Sequence, residues 1–186
     1  MALLPVVKYG DSILRKKVDQ VIDFSQLDNL IDDMFDTMYN EKGIGLAANQ
    51  VGVSLAILVF DIGNYELNEE EINEDAVASD PRVFINPKII GTIGECSMEE
   101  GCLSVPEIRA EVVRAETITL QYDNLDKNSY SETFSGLSAR VLLHEIDHLN
   151  GKFFTDYLSK SKRMLIQKRL QEIALTGSPS TGIILS

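Results

Sequence analysis

Apolar residues recur at three- and four-residue spacing through Leu27, Leu30, Ile31, Met34, Phe35 and Met38, a period that predicts an amphipathic helix over about 25–41. Ser25 with Asp28 three residues on reads as its capping box, and Gly43 as its stop. Asp32, Asp33, Asp36 and Glu41 fall on or near the solvated side, so nothing in this helix calls for chemistry. Before it, Tyr9-Gly10-Asp11-Ser12 reads as a turn into a short helical piece from Ile13 to Lys17. After it, the run Val53-Ser54-Leu55-Ala56-Ile57-Leu58-Val59-Phe60 reads as a strand. Phe84 to Gly91 is a second strand, with Pro87 at an edge or a bulge. Val112-Val113-Arg114 is β-branched, and Thr117 to Tyr122 alternates as a half-buried strand does. Asn124 to Asn128 is turn material, and Ser129 to Phe134 returns as the second arm of a hairpin. Ser135 then caps a helix over about 136–149, which Asn150-Gly151 stops. A last helix spans about 161–174, and the short tail from Gly177 to Ser186 reads as mobile.

Composition narrows the picture. A chain of 186 residues, 44% hydrophobic and 25% charged, fits one globular domain over 1–186 with a proper core, and no repeat or linker divides it. No apolar run approaches the roughly 20 residues that a membrane-crossing helix needs. No basic region followed by a long apolar stretch opens the chain, so the expectation is a cytosolic protein with no membrane contact. A net charge of −12 argues against direct DNA binding, which needs a basic field. Charge is uneven along the chain. Residues 61–80 hold eight acids and no Lys or Arg, and read as a solvated surface insertion. Lys160, Lys162, Arg163, Lys168 and Arg169 face only the late acid Glu172, a local reversal of sign on the last helix. Cys96 and Cys102 stand six apart with no second pair, which is no disulfide framework.

The chemistry concentrates in Leu142-Leu143-His144-Glu145-Ile146-Asp147-His148-Leu149. Residues four apart share a helix face, so His144 and His148, the chain's only histidines, can hold one metal ion. Glu145 can reach a water on that metal. Leu137, Val141, His144 and His148 follow one stripe, so the histidines lie on an inward side. The bland alternative is a packed helix with histidines four apart by chance. Two imidazoles leave a tetrahedral metal short of a protein ligand, and either Glu172 downstream or Cys102 upstream is available. A thiolate with two imidazoles suits zinc. The stretch Gly43-Ile44-Gly45-Leu46-Ala47-Ala48-Asn49-Gln50 allows close approach of a backbone or ligand. It lacks the third glycine and Lys-Ser/Thr of a phosphate loop, and alone it reads as a tight packing turn.

Three stretches together change this. Gly43-Ile44-Gly45-Leu46-Ala47-Ala48-Asn49-Gln50, Glu100-Gly101-Cys102-Leu103-Ser104 and His144-Glu145-Ile146-Asp147-His148 resemble the three motifs of the peptide deformylase family, in its order. The resemblance runs from the Gly10-Asp11 turn, with Leu14-Arg15, to Gly151. It implies an α+β fold, with antiparallel and mixed sheets packed around the central HExxH helix and with an N-terminal and a C-terminal helix. It also implies a hydrolase that removes the formyl group of N-terminal formylmethionine from nascent peptides, releasing formate. By that resemblance Cys102, His144 and His148 would bind the metal, ferrous iron (Fe2+) in most members, with Ni2+ or Zn2+ able to substitute. Glu145 would be the general base, and Gln50 and the Leu103 backbone N–H the oxyanion donors. Gly45 would give the peptide room, Ile44 and Val141 would line the methionine pocket with His144, and Arg109 would lie near the peptide path. Glu100 and Asp147 would orient ligands or pair with a cation. In some bacterial members the last helix contacts the ribosome, and the basic 160–169 stretch extends that expectation here. Leu143 departs from the polar residue common before the first histidine. Two other readings stay beside this one: an HExxH zinc peptidase with Glu172 as third ligand, and a non-catalytic formyl-peptide or metal-binding relative. Intact Glu145 and Gln50 count against the second.

Overall fold

The computed structural model describes residues 2–64, 79–178 and 181–185. Asp11 caps a first 3-10 turn, Ser12–Arg15, by accepting the Ile13 N–H at 2.9 Å. Helix α1 spans Asp28–Asn40 and turns Ile31, Met34 and Met38 inward, as its period predicts. Its start differs from expectation. Leu27 holds the cap position with no side-chain bond, and the Ser25 N–H is taken by Asp23 at 2.9 Å, so no capping box forms. Short β1 (Gly45–Ala47) leads into a 3-10 turn, Ala48–Val51, in place of a simple packing turn. Strand β2 (Ile57–Phe60) is buried along its length.

Strand β3 runs Arg82–Ile93, longer than the sequence pattern suggested, because its register shifts at the Ile85/Lys88 bulge and lets Pro87 sit inside a central strand. Asn86 stands there at φ 52° and ties both its amide atoms to Val21. Strands β4 (Cys96–Cys102) and β5 (Val105–Arg114) form a hairpin of which only the end of β5 was legible. Strands β6 (Thr117–Asp123) and β7 (Ser129–Ser135) form the expected one, and then helix α2 runs Gly136–Leu149. Ser135 occupies its cap position but makes no side-chain cap bond. A 3-10 turn, Phe154–Tyr157, precedes helix α3 (Lys160–Thr176), which Ser159 caps through the Lys162 N–H. The tail is not loose throughout: β8 (Ile183–Leu185) pairs in parallel with β5 at Ile108–Ala110, and Leu185 is buried.

The sheets have the orders β1-β2-β3-β6-β7 and β4-β5-β8, so β1 and β4 are edge strands. Helix α2 lies between them. Ala139, Leu142, Ile146 and Leu149 of α2 pack on Leu58, Phe60, Phe84, Ile118 and Leu120 of the larger sheet. Helix α1 covers Val59 and Ile85, and α3 packs Ile166, Leu170 and Ile173 against Ile108 and Val112 of β5. Past α2, Gly151 stands at φ 72°, and a Cβ there would meet the Arg15 carbonyl oxygen at 2.6 Å, so both conformation and space require glycine. Most of the acidic 61–80 stretch lies outside the described residues. Its first member departs from the solvated reading. Asp61 is buried and accepts bonds from Tyr39 and Ser79 hydroxyls and from the Gly63 and Asp80 N–H groups.

Candidate metal centre

Helix α2 carries Arg140, His144 and His148 four residues apart, on the side turned to β4 and β5. His148 is fully buried and His144 and Glu145 nearly so. Cys102, at the end of β4, closes the group. Its Sγ lies 3.1 Å from His148 Nε2, which lies 3.2 Å from His144 Nε2. One donor atom from each of the three falls within 4.8 Å of the others. A tetrahedral ion with ordinary metal–sulfur and metal–imidazole bonds has donor edges of roughly 3.3–3.6 Å, so a soft thiolate and two imidazoles converging at this scale fit a metal. Glu172 is not part of the group. It sits on α3 beside Lys168, 3.9 Å away, which removes it as third ligand.

The polar surround is buried and closely paired. His144 Nδ1 meets Glu100 Oε2 at 2.9 Å, leaving Nε2 to face the other ligands. Glu100 is held by Arg114 and Arg140 as well. Burial opposes its charged form, but His144 and Arg114 outweigh that and hold the carboxyl well below its ordinary range. Burial opposes the charged form of His144 too, and Cys102 and Glu100 overcome it, raising its pKa. Burial and the His144 charge instead lower that of His148. Glu145 is pushed up to about 7, mainly by burial. Its Oε2 has no hydrogen-bond partner among the described residues. A buried carboxyl with a free oxygen near neutrality is suited to moving a proton.

The loop after β1 brings Gln50 in. Its Oε1 accepts the Ala47 N–H at 2.8 Å, which fixes the amide so that Nε2 points to Cys102 Sγ at 3.6 Å and Ser104 Oγ at 3.3 Å. Asn49, equally buried, donates to the His148 carbonyl at 2.6 Å and locks this loop to α2. The Lys8 ammonium donates to the Leu103 carbonyl at 2.9 Å, and the Val7 and Tyr9 N–H groups bond the carbonyls of Gln50 and Ser104, so the N-terminal segment clips two motifs together. Gly45 has a specific reason: a Cβ there would stand 2.7 Å from Val141 and 2.8 Å from Glu145 Oε1. Only glycine lets β1 pass this close to α2.

These parts open on a cleft of about 440 Å³. Ile44, Gly45, Gln50, Cys102, Leu103, Arg109, Val141, His144 and Glu145 all line it, whereas His148 lies behind them. Arg109 is exposed on the rim and pairs with Glu99 at 3.3 Å. Sequence reasoning missed Arg114, Arg140, Asn49 and Ser104. Arg140 had a signal, since it precedes His144 by one turn on the same face. Arg114 had a weaker one, falling in phase with inward Ala110 and Val112.

A metal-competent thiolate and two imidazoles beside a buried acid, at the floor of a cleft between two edge strands, define a metal-dependent hydrolase. The family profile described as polypeptide deformylase matches residues 3–164. A peptide deformylase of Christiangramia forsetii is 43% identical over 176 residues, covering 92% of this chain and 90% of that one. One of Chlorobaculum parvum is 46% identical over 173 residues, with 92% and 88% covered. The crystal structure of a peptide deformylase from Legionella pneumophila superposes with a TM-score of 0.81 at 40% identity, over 95% of this chain and 98% of that one. The chain belongs to the peptide deformylase family, enzymes that remove the N-formyl group from nascent peptides. This sets aside the zinc-peptidase and non-catalytic readings.

Proposed function

We propose that Cys102, His144 and His148 hold the metal, Glu145 moves the proton, and Gln50 with the Leu103 backbone N–H stabilises the oxyanion. The observation that supports this most is the meeting of all three motifs in one cleft, with Gln50 Nε2 aimed at Cys102 and Glu145 beside His144. Ferrous iron is the metal we assign, with Ni2+ or Zn2+ able to replace it. When bound, it would lower the pKa of water and polarise the formyl oxygen. Glu145 takes the proton of the attacking water and returns it to the leaving amine, which departs as formate is released. The Gln50 amide donates to the oxygen as charge develops on it, and the Ala47 bond holds that amide in place beforehand.

The substrate is the formylmethionine end of a nascent peptide. Its side chain enters the apolar part of the cleft at Ile44 and Val141, and Gly45 leaves the backbone bare beside it. The following residues run extended between edges β1 and β4, main chain to main chain, which keeps recognition permissive beyond methionine. Arg109 stands where that extension leaves the cleft. We assign the whole chain to one catalytic unit working in the cytoplasm, a setting compatible with two free cysteines. No helix among the described residues is long and apolar enough to cross a membrane. A ribosome contact by α3 is the remaining assignment. It rests on the joint charge of Lys160, Lys162, Arg163, Lys168 and Arg169; Arg163 and Arg169 bond neutral carbonyls, which leaves their charge in place. Charge reversal at Lys162, Arg163, Lys168 and Arg169 is expected to lower ribosome co-sedimentation, and unchanged co-sedimentation refutes it. For the reaction, formate release from a formyl-Met peptide with iron kept reduced is the test. Retained release by Glu145→Gln would refute the assignment.

A further inference from the structure

The Glu100 carboxylate meets two arginines, and they grip it differently. Arg114 makes a fork: Nε reaches Oε1 at 2.6 Å and Nη2 reaches Oε2 at 3.0 Å. Arg140 touches Oε1 alone, through Nη1 at 2.7 Å; the same Nη1 also donates to the Val112 carbonyl, and Nη2 donates to that of Cys96. One contact fixes a point, whereas a two-point grip fixes the plane of the carboxylate. The direction of Oε2, the atom that meets His144 Nδ1, follows from that plane. The orientation of the His144 ring follows in turn.

Arg114 also has a second hold. Its Nη1 donates to Asp147 Oδ2 at 2.5 Å, and Asp147 lies on α2 between the two histidines. Tyr157 closes the outer side, with its ring 4.5 Å from the guanidinium carbon and its hydroxyl donating to Asp147 at 3.1 Å. One buried guanidinium at the end of β5 therefore connects β4 to α2 on both sides of the imidazole pair. We propose that Arg114 is a positioning residue for the metal centre: its fork on Glu100 and its bond to Asp147 set the aim of His144, and with it the metal affinity. This rests on the ligand assignment above.

Lysine in place of Arg114 keeps the positive charge and one bond but loses the fork. Arg140 still neutralises Glu100 in that variant, so the fold has a counter-charge to rely on. The experiment measures Co2+ affinity by competition with a chelator, together with the visible spectrum of the Co2+ form, for wild type, Arg114→Lys, Arg114→Gln, Cys102→Ala and Arg82→Lys. Arg82 grips Glu132 through one nitrogen on the far sheet and controls for the general cost of losing a half-buried arginine. Arg114→Lys and Arg114→Gln are expected to bind Co2+ about 10- to 100-fold more weakly, with a shifted spectrum, and Arg82→Lys to keep wild-type affinity. Wild-type affinity in both Arg114 variants overturns the inference. So does an equal loss in Arg82→Lys, or failure of both Arg114 variants to fold. Full Co2+ affinity in Cys102→Ala would instead overturn the ligand assignment, which separates the two failures.

Discussion

Helix α2 has two buried flanks, and they are built from opposite materials. On one, Ala139, Leu142, Ile146 and Leu149 pack against Leu58, Phe84 and Ile118 in one hydrophobic cluster. On the other, Arg140, His144 and His148 face Cys102 and Glu100, and most nitrogens and oxygens have a named partner, buried His148 Nδ1 and Glu145 Oε2 having none among the described residues. The apolar flank stabilises through area and can accept a different residue of similar volume. The polar flank carries desolvated charges that are tolerable only while all of them are paired. A fault on the first flank should cost stability; a fault on the second should cost function.

The largest expected effect breaks the polar flank at Glu145, the proposed proton carrier. Glu145→Gln should lower kcat by about 10²- to 10⁴-fold, read by formate release, while thermal unfolding moves little. Leu142→Ala attacks the fully buried apolar flank and should cost about 2–5 kcal/mol of stability in denaturant unfolding, with activity per folded molecule retained. A large drop in per-molecule kcat for Leu142→Ala would erase the contrast. Gln50→Ala removes one proposed oxyanion donor and should cost about 3–4 kcal/mol of barrier, seen in kcat more than KM.

A smaller effect comes from Asp61, away from both flanks. Burial opposes its charge, but Ser79, Tyr39 and two backbone N–H groups win and lower its pKa from the ordinary 3.8. A depressed folded-state pKa means that its stabilisation is complete above the unfolded value and is lost as pH falls through the folded one. Stability of wild type measured from pH 5 downward should therefore decline more steeply than that of Asp61→Asn. The least effect belongs to the exposed Arg15–Asp156 pair, where Arg15→Ala should cost at most about 1 kcal/mol.

The two flanks also differed in how legible they were. Apolar period announced α1, cap and stop residues bounded α2, and the three motifs announced Gln50, Cys102, Glu145 and both histidines by resemblance. Hairpin β4–β5 stayed hidden because its inward positions include Glu100 and Arg114, charged residues that read as surface until a partner from another element is known. The same holds for Arg140, whose partners lie on β4 and β5. Asp61 read as solvated because it opens a 61–80 stretch rich in acids from Glu66 on, whereas its burial depends on Tyr39 and Ser79. Strand β8 was missed because three apolar residues near a terminus carry no period; only the open edge of β5 makes them a strand. Charge buried by long-range pairing leaves at most a weak local signature, such as the phase of Arg140 with His144 or of Arg114 with Val112.

The claim at the centre is that the polar flank is a metal site whose third ligand comes from β4. Metal content of purified Cys102→Ala and Glu172→Ala, prepared with iron kept reduced, tests it most directly. Cys102→Ala is expected to lose its metal, and Glu172→Ala to keep one ion per chain. Metal retained by Cys102→Ala and lost by Glu172→Ala would contradict it.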